Sequence, residues 1–256
     1  MSIAATPPAD VPLALITGGA GGIGTAICRA LAAAGFRVVV GYNRSAAAAE
    51  ELAKNLPGSG HAALAAPVTN SAALKTLAAA IGARWGRCDV LVNCAGTTRF
   101  VPHADLDGLD DSLIDTILAT NVRGAVAAVR AVRALLQRSD LNGGGVVINI
   151  SSTAAISAIG SNIIYCASKA ALDSLTKSLA RALAPHIRVL SVSPGLVDTE
   201  FVKSLDPKWR DEQAARTPLG RLATPDEVGS AIVAAVRHLT FSTGSILLVD
   251  GGRLLS

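Results

Sequence analysis

The strongest constraint on this chain's fold is an alternation of period. Short β-branched runs at LALIT (13–17), RVVVGY (37–42), DVLVN (89–93), GVVINIS (145–151), IRVLSVS (187–193) and SILLVD (245–250) alternate with Ala-rich stretches of helical period. Those stretches lie near 22–34, 45–55, 71–84, 112–138, 165–184 and 225–239. Runs that are apolar at nearly every position are strands buried on both faces. The pattern therefore predicts an α/β fold, a parallel sheet covered by helices on each side. HAALAAPV (61–68) is a weaker strand candidate, ended by Pro67. No linker or internal repeat divides the chain, so 11–256 reads as one domain behind a flexible segment at 1–10. The stretch 196–224 breaks the alternation with charges, prolines and Trp209, just after a strand C-terminus. In a doubly wound sheet that edge holds the ligand, so 196–224 is expected to form a substrate lid, with side chains such as Phe201, Leu205 and Trp209 shaping the pocket in an orientation that spacing does not give.

Composition narrows the function classes. Aromatics are 3% of residues and basic residues are scattered, which argues against a nucleic-acid groove. Arg123, Arg130, Arg133 and Arg138 fall loosely along one side of a helix, as a wet face or a patch for an acidic partner. Cys28, Cys88, Cys94 and Cys166 have no metal-ligand spacing and sit in apolar neighbourhoods, as buried free thiols of a reducing compartment do. The first ten residues lack a basic and apolar leader pattern, and no run is expected to cross a membrane. A cytoplasmic protein is the expectation.

The turn after the first strand is TGGAGGIG (17–24), leading directly into a helix. Glycines there allow positive φ and let backbone N–H groups approach a pyrophosphate, while the helix N-terminus adds positive potential. Gly18, Gly19, Gly22, Ile23 and Gly24 are the candidate contacts of a dinucleotide. At the end of the second strand an acid would hold the ribose 2′-OH of NAD, and a base would hold the 2′-phosphate of NADP. The corner here is Tyr42, Asn43, Arg44 and Ser45, with no carboxylate, so NADP(H) is favoured and NAD(H) is the alternative.

In YCASK (165–169), Tyr165 and Lys169 are four residues apart. On a helix they share a face, about 6 Å apart along the axis. Read alone, they are a core aromatic and a surface lysine. A phenol with a reference pKa of about 10 is a poor acid or base at neutral pH, but a neighbouring ammonium stabilises the phenolate form. The pair can serve as a tunable acid/base.

These motifs, with NCAG (93–96), Asn121 in TNVRG, Ser152 in NISST, SPGLVDT (193–199) and VDGG (249–252), resemble the classical short-chain dehydrogenase/reductase family from about Leu13 to Gly252. The resemblance implies a single Rossmann-type, doubly wound domain with a seven-stranded parallel sheet, and a homotetramer or dimer. It implies Tyr165 as general acid in carbonyl reduction and general base in alcohol oxidation, with Lys169 beside it binding the nicotinamide ribose. Ser152 would polarise the substrate oxygen, and Asn121 would hold a water next to Lys169. Asn93, Ala95 and Gly96 would lie against the cofactor ribose. Pro194 and Gly195 would shape a turn from which Val197 and Thr199 hold the carboxamide.

Pro67-Val68 stands where many members have Asp-Val, leaving Val68 as the candidate adenine contact. TPLGRLATPDEV (217–228) looks like 3-oxoacyl carrier-protein reductases, so an acyl thioester is one substrate class implied. NAD-dependent sugar, polyol or steroid alcohol oxidation is the alternative. A dinucleotide-binding sensor without turnover would show a broken tetrad, whereas Asn121, Ser152, Tyr165 and Lys169 are all present. Long apolar helices near 112–138 and 165–184 suit a second face that meets another subunit.

Overall fold

The computed structural model describes residues 11–204 and 206–255, the Phe201 side chain excepted. The segment 1–10 and the lid side chains of Phe201 and Leu205 lie outside the described residues. Strands β1 Leu13–Thr17, β2 Arg37–Tyr42, β3 Ala62–Ala65, β4 Val90–Asn93, β5 Gly145–Ile150, β6 Ile187–Pro194 and β7 Ile246–Val249 form one sheet. Their order is β3-β2-β1-β4-β5-β6-β7, and every pairing is parallel. All strands therefore end at the same edge.

Alternate residues of each strand feed two cores. Ala14 and Ile16 of β1 pack with Ile27 and Leu31 of α1 (Gly22–Ala33) and with Val228 and Ile232 of α10 (Pro225–Arg237). Leu13 and Leu15 face the other way, onto Leu74, Leu77 and Ile81 of α3 (Ser71–Trp85) and Val129, Val132 and Leu136 of α5 (Gly124–Leu136). Each such Leu, Ile or Val side chain contributes about 1.5–3 kcal/mol on burial. Between the strands also lie α2 (Ala46–Asn55), α4 (Asp111–Leu118), α6 (Ala154–Ser157), α7 (Ile163–Leu183), α8 (Glu200–Lys203) and α9 (Pro207–Ala215).

The single helix expected at 112–138 is α4 and α5 joined by a turn of π-helix at Ala119–Arg123, with Asn121 at its centre. Taken together, Asp111–Leu136 is long and apolar enough to cross a membrane by length and composition, counter to the expectation that no run could. Here it packs along one side: α5 lies on α3 and β4, and α4 on α7.

Most helix starts carry side-chain caps. Asn70 caps α3, Asp110 caps α4, Asn162 caps α7, and Thr224 with Glu227 forms a capping box on α10. Helix α1 differs, because Gly21 at its N-cap offers no side-chain acceptor to the first N–H groups. Those donors are left for a ligand. The stretch 196–224 follows β6 through α8 and α9; the Val197–Ala223 bridge and the ion pair from Arg210 to Asp198 at 2.6 Å join its own parts, while Leu219 N donating to Gly251 O at 3.2 Å and Arg253 Nη1 donating to Gln213 O at 2.6 Å hold it to the C-terminal segment.

Candidate active site

The strand order reverses direction between β1 and β4, which opens a crevice at their C-terminal ends. Thr17 Oγ1 accepts from Cys94 N and Ala95 N, each at 3.2 Å, and so fixes the start of the NCAG turn beside the glycine loop. Gly18 has φ +66°, and a Cβ there would lie 2.9 Å from Ala95 Cα, so only glycine fits. A Cβ at Gly24 would lie 2.2 Å from Gly18 O. The loop is a cradle of bare backbone at an uncapped helix N-terminus, which suits the pyrophosphate of a dinucleotide. Thr199 closes over it: its side chain lies 3.2 Å from where a Gly22 Cβ would be. Ile23 packs partly against the core.

The ends of β2 and β3 set the far side of the crevice. Asn43, Arg44 and Ser45 are exposed and Tyr42 is half-buried. Among the described residues, the Arg44 guanidinium makes no hydrogen bond or ion pair. Val68 departs from the expectation in one respect: its side chain is buried against Gly124, 2.8 Å from where a Cβ would stand there. Its backbone alone is left to meet a ligand. Asn93 likewise turns inward, donating to Asn149 Oδ1 at 2.9 Å, and Asn149 donates to Thr176 Oγ1 at 2.8 Å. The small residues Ala95 and Gly96 form the surface there.

Lys169 and Tyr165 stand on the first turns of α7 with Lys169 Nζ 5.6 Å from the Tyr165 ring centroid. Lys169 is 7% exposed, so the surface-lysine reading is wrong. Its ammonium donates to Ile150 O at 2.7 Å, at the end of β5, and keeps two further donors. A Cβ on Gly96 would meet Asn121 Oδ1 at 3.5 Å and Lys169 Nζ at 3.8 Å, so Gly96, Asn121 and Lys169 converge. Ser151 is buried and donates to Lys169 O, whereas Ser152 is half-buried with its Oγ accepting from Ala154 N at 3.2 Å. The Ser152 hydroxyl proton remains available.

The Asn121 side chain is more committed than a water-holding role requires. Its Oδ1 accepts from Thr97 N at 2.8 Å, and its Nδ2 donates to Thr97 O and Ser168 Oγ, each at 3.1 Å. Two residues of this site escaped the sequence reading. Ser168, inside YCASK, relays Asn121 to Tyr165 O at 2.7 Å. Asn162 accepts from Tyr165 N at 2.7 Å; an Asn three residues before a helical tyrosine is a cap pattern that pointed to it.

After the β6 end at Pro194, Gly195 N donates to Val249 O at 3.0 Å, and a Gly195 Cβ would press on Asp250 Cα at 3.1 Å. Val197 is buried in its bridge with Ala223, while the Thr199 hydroxyl accepts from Val202 N at 3.4 Å and retains its own proton. Cys94, just after β4, packs against the core on the α1 side, its thiol pushed up to about 11 by burial, with the Lys169 charge pulling the other way. It is a neutral packing group at physiological pH.

Residues 18–253 match the family model described as enoyl-(acyl carrier protein) reductase. A protein of Streptomyces violaceoruber, provisionally named ketoacyl reductase 2 of the granaticin polyketide synthase, is 38% identical over 97% of this chain and 98% of its own length. D-threitol dehydrogenase of Mycolicibacterium smegmatis is 36% identical over 95% of this chain and 93% of its own. A gluconate 5-dehydrogenase from Burkholderia cenocepacia, solved with NADP and tartrate, superposes with a TM-score of 0.85 at 30% identity, covering 96% of each chain. With a nicotinamide-dinucleotide crevice and the motifs of carbonyl–alcohol oxidoreduction in one chain, this protein belongs to the short-chain dehydrogenase/reductase family.

Proposed function

We propose that this oxidoreductase uses NADP(H) and that its reducing direction acts on a carbonyl with an apolar body, a 3-oxoacyl thioester being the first class to try. The observation that carries the chemistry is the convergence of Tyr165, Lys169, Asn121 and Gly96 beside the glycine cradle. The bound dinucleotide supplies the hydride in reduction and accepts it in oxidation. Tyr165 Oη gives its proton to the substrate oxygen in reduction and takes it back in oxidation. Ser152 Oγ donates to the same oxygen and stabilises the charge that develops there. Lys169, anchored by Ile150 O, keeps N–H donors that would serve the nicotinamide ribose and the phenol. Asn121 holds Thr97 and Ser168, and with them the wall beside Lys169. Gly18, Gly19, Gly22, Ile23 and Gly24 take the pyrophosphate, Ala95 and Gly96 the ribose. The turn from Pro194 to Thr199 takes the carboxamide.

The free guanidinium of Arg44, with Ser45 beside it, supports NADP over NAD. Exposed Phe100 and Ile159 near the turn that precedes Tyr165 support an apolar substrate body. The D-threitol and gluconate dehydrogenase relatives favour a second reading, oxidation of a polyol or sugar acid. We assign the stretch 196–224 as the substrate lid. A cytoplasmic location suits the four free thiols, and a homotetramer or dimer suits the long apolar helices.

Cofactor absorbance followed against a panel of carbonyls and alcohols tests the reaction. Arg44→Ala is expected to weaken NADPH binding roughly ten-fold and leave NADH binding alone, the loss of one charge-assisted contact. A parent that prefers NADH, or an unchanged NADPH affinity in the variant, contradicts the phosphate assignment.

A further inference from the structure

Tyr165 is held by its backbone at both ends. Its N–H donates to Asn162 Oδ1 at 2.7 Å, and its C=O accepts from Ser168 Oγ at 2.7 Å. Each of these side chains has a second grip on the same short segment, 97–99. Asn162 Nδ2 donates to Arg99 O at 2.8 Å and to Thr98 Oγ1 at 3.1 Å. Ser168 Oγ accepts from Asn121 Nδ2, and the Asn121 amide brackets Thr97 by accepting from its N–H and donating to its C=O. The bonds close a circuit: Tyr165, Asn162, Arg99 and Thr98, Thr97, Asn121, Ser168, and back to Tyr165.

Asn162 and Ser168 are 0% exposed, and every polar atom of their side chains within the circuit has a partner. Helix capping accounts for only half of what Asn162 does. A cap needs an acceptor for Tyr165 N, which serine, threonine or aspartate would supply equally well. The two N–H bonds to Arg99 O and Thr98 Oγ1 are surplus to capping, and they require an amide. The same segment is stapled further along, where Val101 N donates to Ser161 O at 2.8 Å and Thr98 Oγ1 meets Ser161 Oγ at 2.5 Å. Between these staples sits exposed Phe100.

We infer that Asn162 and Ser168 are positioning residues, which lock the Tyr165 phenol in register with the 97–101 segment that walls the substrate side of the crevice. This rests on the reading of Tyr165 as the proton donor. Displacing a reacting group by about 1 Å can cost about a hundred-fold in rate, so a donor carried on one element and a substrate wall carried on another need a rigid tie. The amides of Asn121 and Asn162 supply it from the two ends of the segment.

Asn162→Asp separates the roles: it keeps the cap acceptor and removes both donors to the wall. In the full-length protein, hydrogen exchange of the peptide spanning 97–103 is expected to quicken several-fold, with the peptide from 170 to 183 unchanged. With 3-oxobutanoyl-N-acetylcysteamine and NADPH, kcat is expected to fall roughly ten- to hundred-fold while NADPH affinity stays parental. Ser168→Ala should show a smaller loss of the same kind. Thr98→Val placed on the Asn162→Asp background should add little, because both act on one circuit. Parental exchange at 97–103, a parental kcat, or a loss of kcat matched by loss of NADPH affinity would each overturn the inference. A parent that reduces no carbonyl probe defeats the proposed reaction, and the exchange comparison then decides the circuit by itself.

Discussion

Lys169 and Cys94 illustrate how neighbouring groups divide their work at this sheet edge. Both are largely enclosed by protein, yet Lys169 is anchored by Ile150 O with donors to spare, whereas the Cys94 thiol has its proton secured by burial. Because the thiolate is the reactive form, Cys94 is expected to alkylate slowly with iodoacetamide at pH 8, its rate climbing until the pH nears the thiol's value of about 11. Mass spectrometry of the modified peptide checks this. Alkylation at pH 8 as fast as a free cysteine would mean that the thiol is ionised or exposed, and that the packing role is wrong. Val68 and Asn93 show the reverse lesson: side chains expected at the crevice turn inward, Val68 onto Gly124 and Asn93 onto Asn149.

Among the elements, α10 carries its own stabilising device. Arg221 and the Thr224 backbone, both hydrogen-bonded to the Glu227 carboxylate, hold it down to about 2. An unfolded glutamate titrates at about 4.3, so the folded state gains from this carboxylate above that value and loses the gain as pH falls toward 2. Glu227→Gln is expected to flatten the fall in urea midpoint between pH 5 and about 2.5. An unchanged slope would show that the cap does not couple to stability. The period alternation placed the major strands and most helices within two residues of their observed ends, because buried strands and amphipathic helices announce themselves by period. The π turn at Ala119–Arg123 did not, since a shift in backbone hydrogen-bond register leaves side-chain spacing almost unchanged. Asn162 and Ser168 escaped for a different reason. Each has a local bond to Tyr165, but the bonds that tie them to Arg99 and Asn121 span 63 and 47 residues, beyond the reach of local pattern.

At the scale of the whole molecule, the parallel sheet gathers what the sequence disperses. The glycine loop after β1, Asn121 in the π turn, Ser152 after β5 and Tyr165 with Lys169 on α7 all come to one edge because every strand ends there. Assembly is testable at this scale too. Sedimentation at micromolar concentration is expected to give four times the protomer mass, and a monomer would contradict the reading of the long apolar helices. The central claim is that the gathered edge is one catalytic centre whose proton passes through Tyr165. The direct measurement is single-turnover reduction of a working carbonyl by the Tyr165→Phe protein, with NADPH binding measured alongside. The account predicts unchanged NADPH affinity and a rate lower by about 10²–10⁴-fold; a variant that reduces the carbonyl as fast as its parent would contradict it.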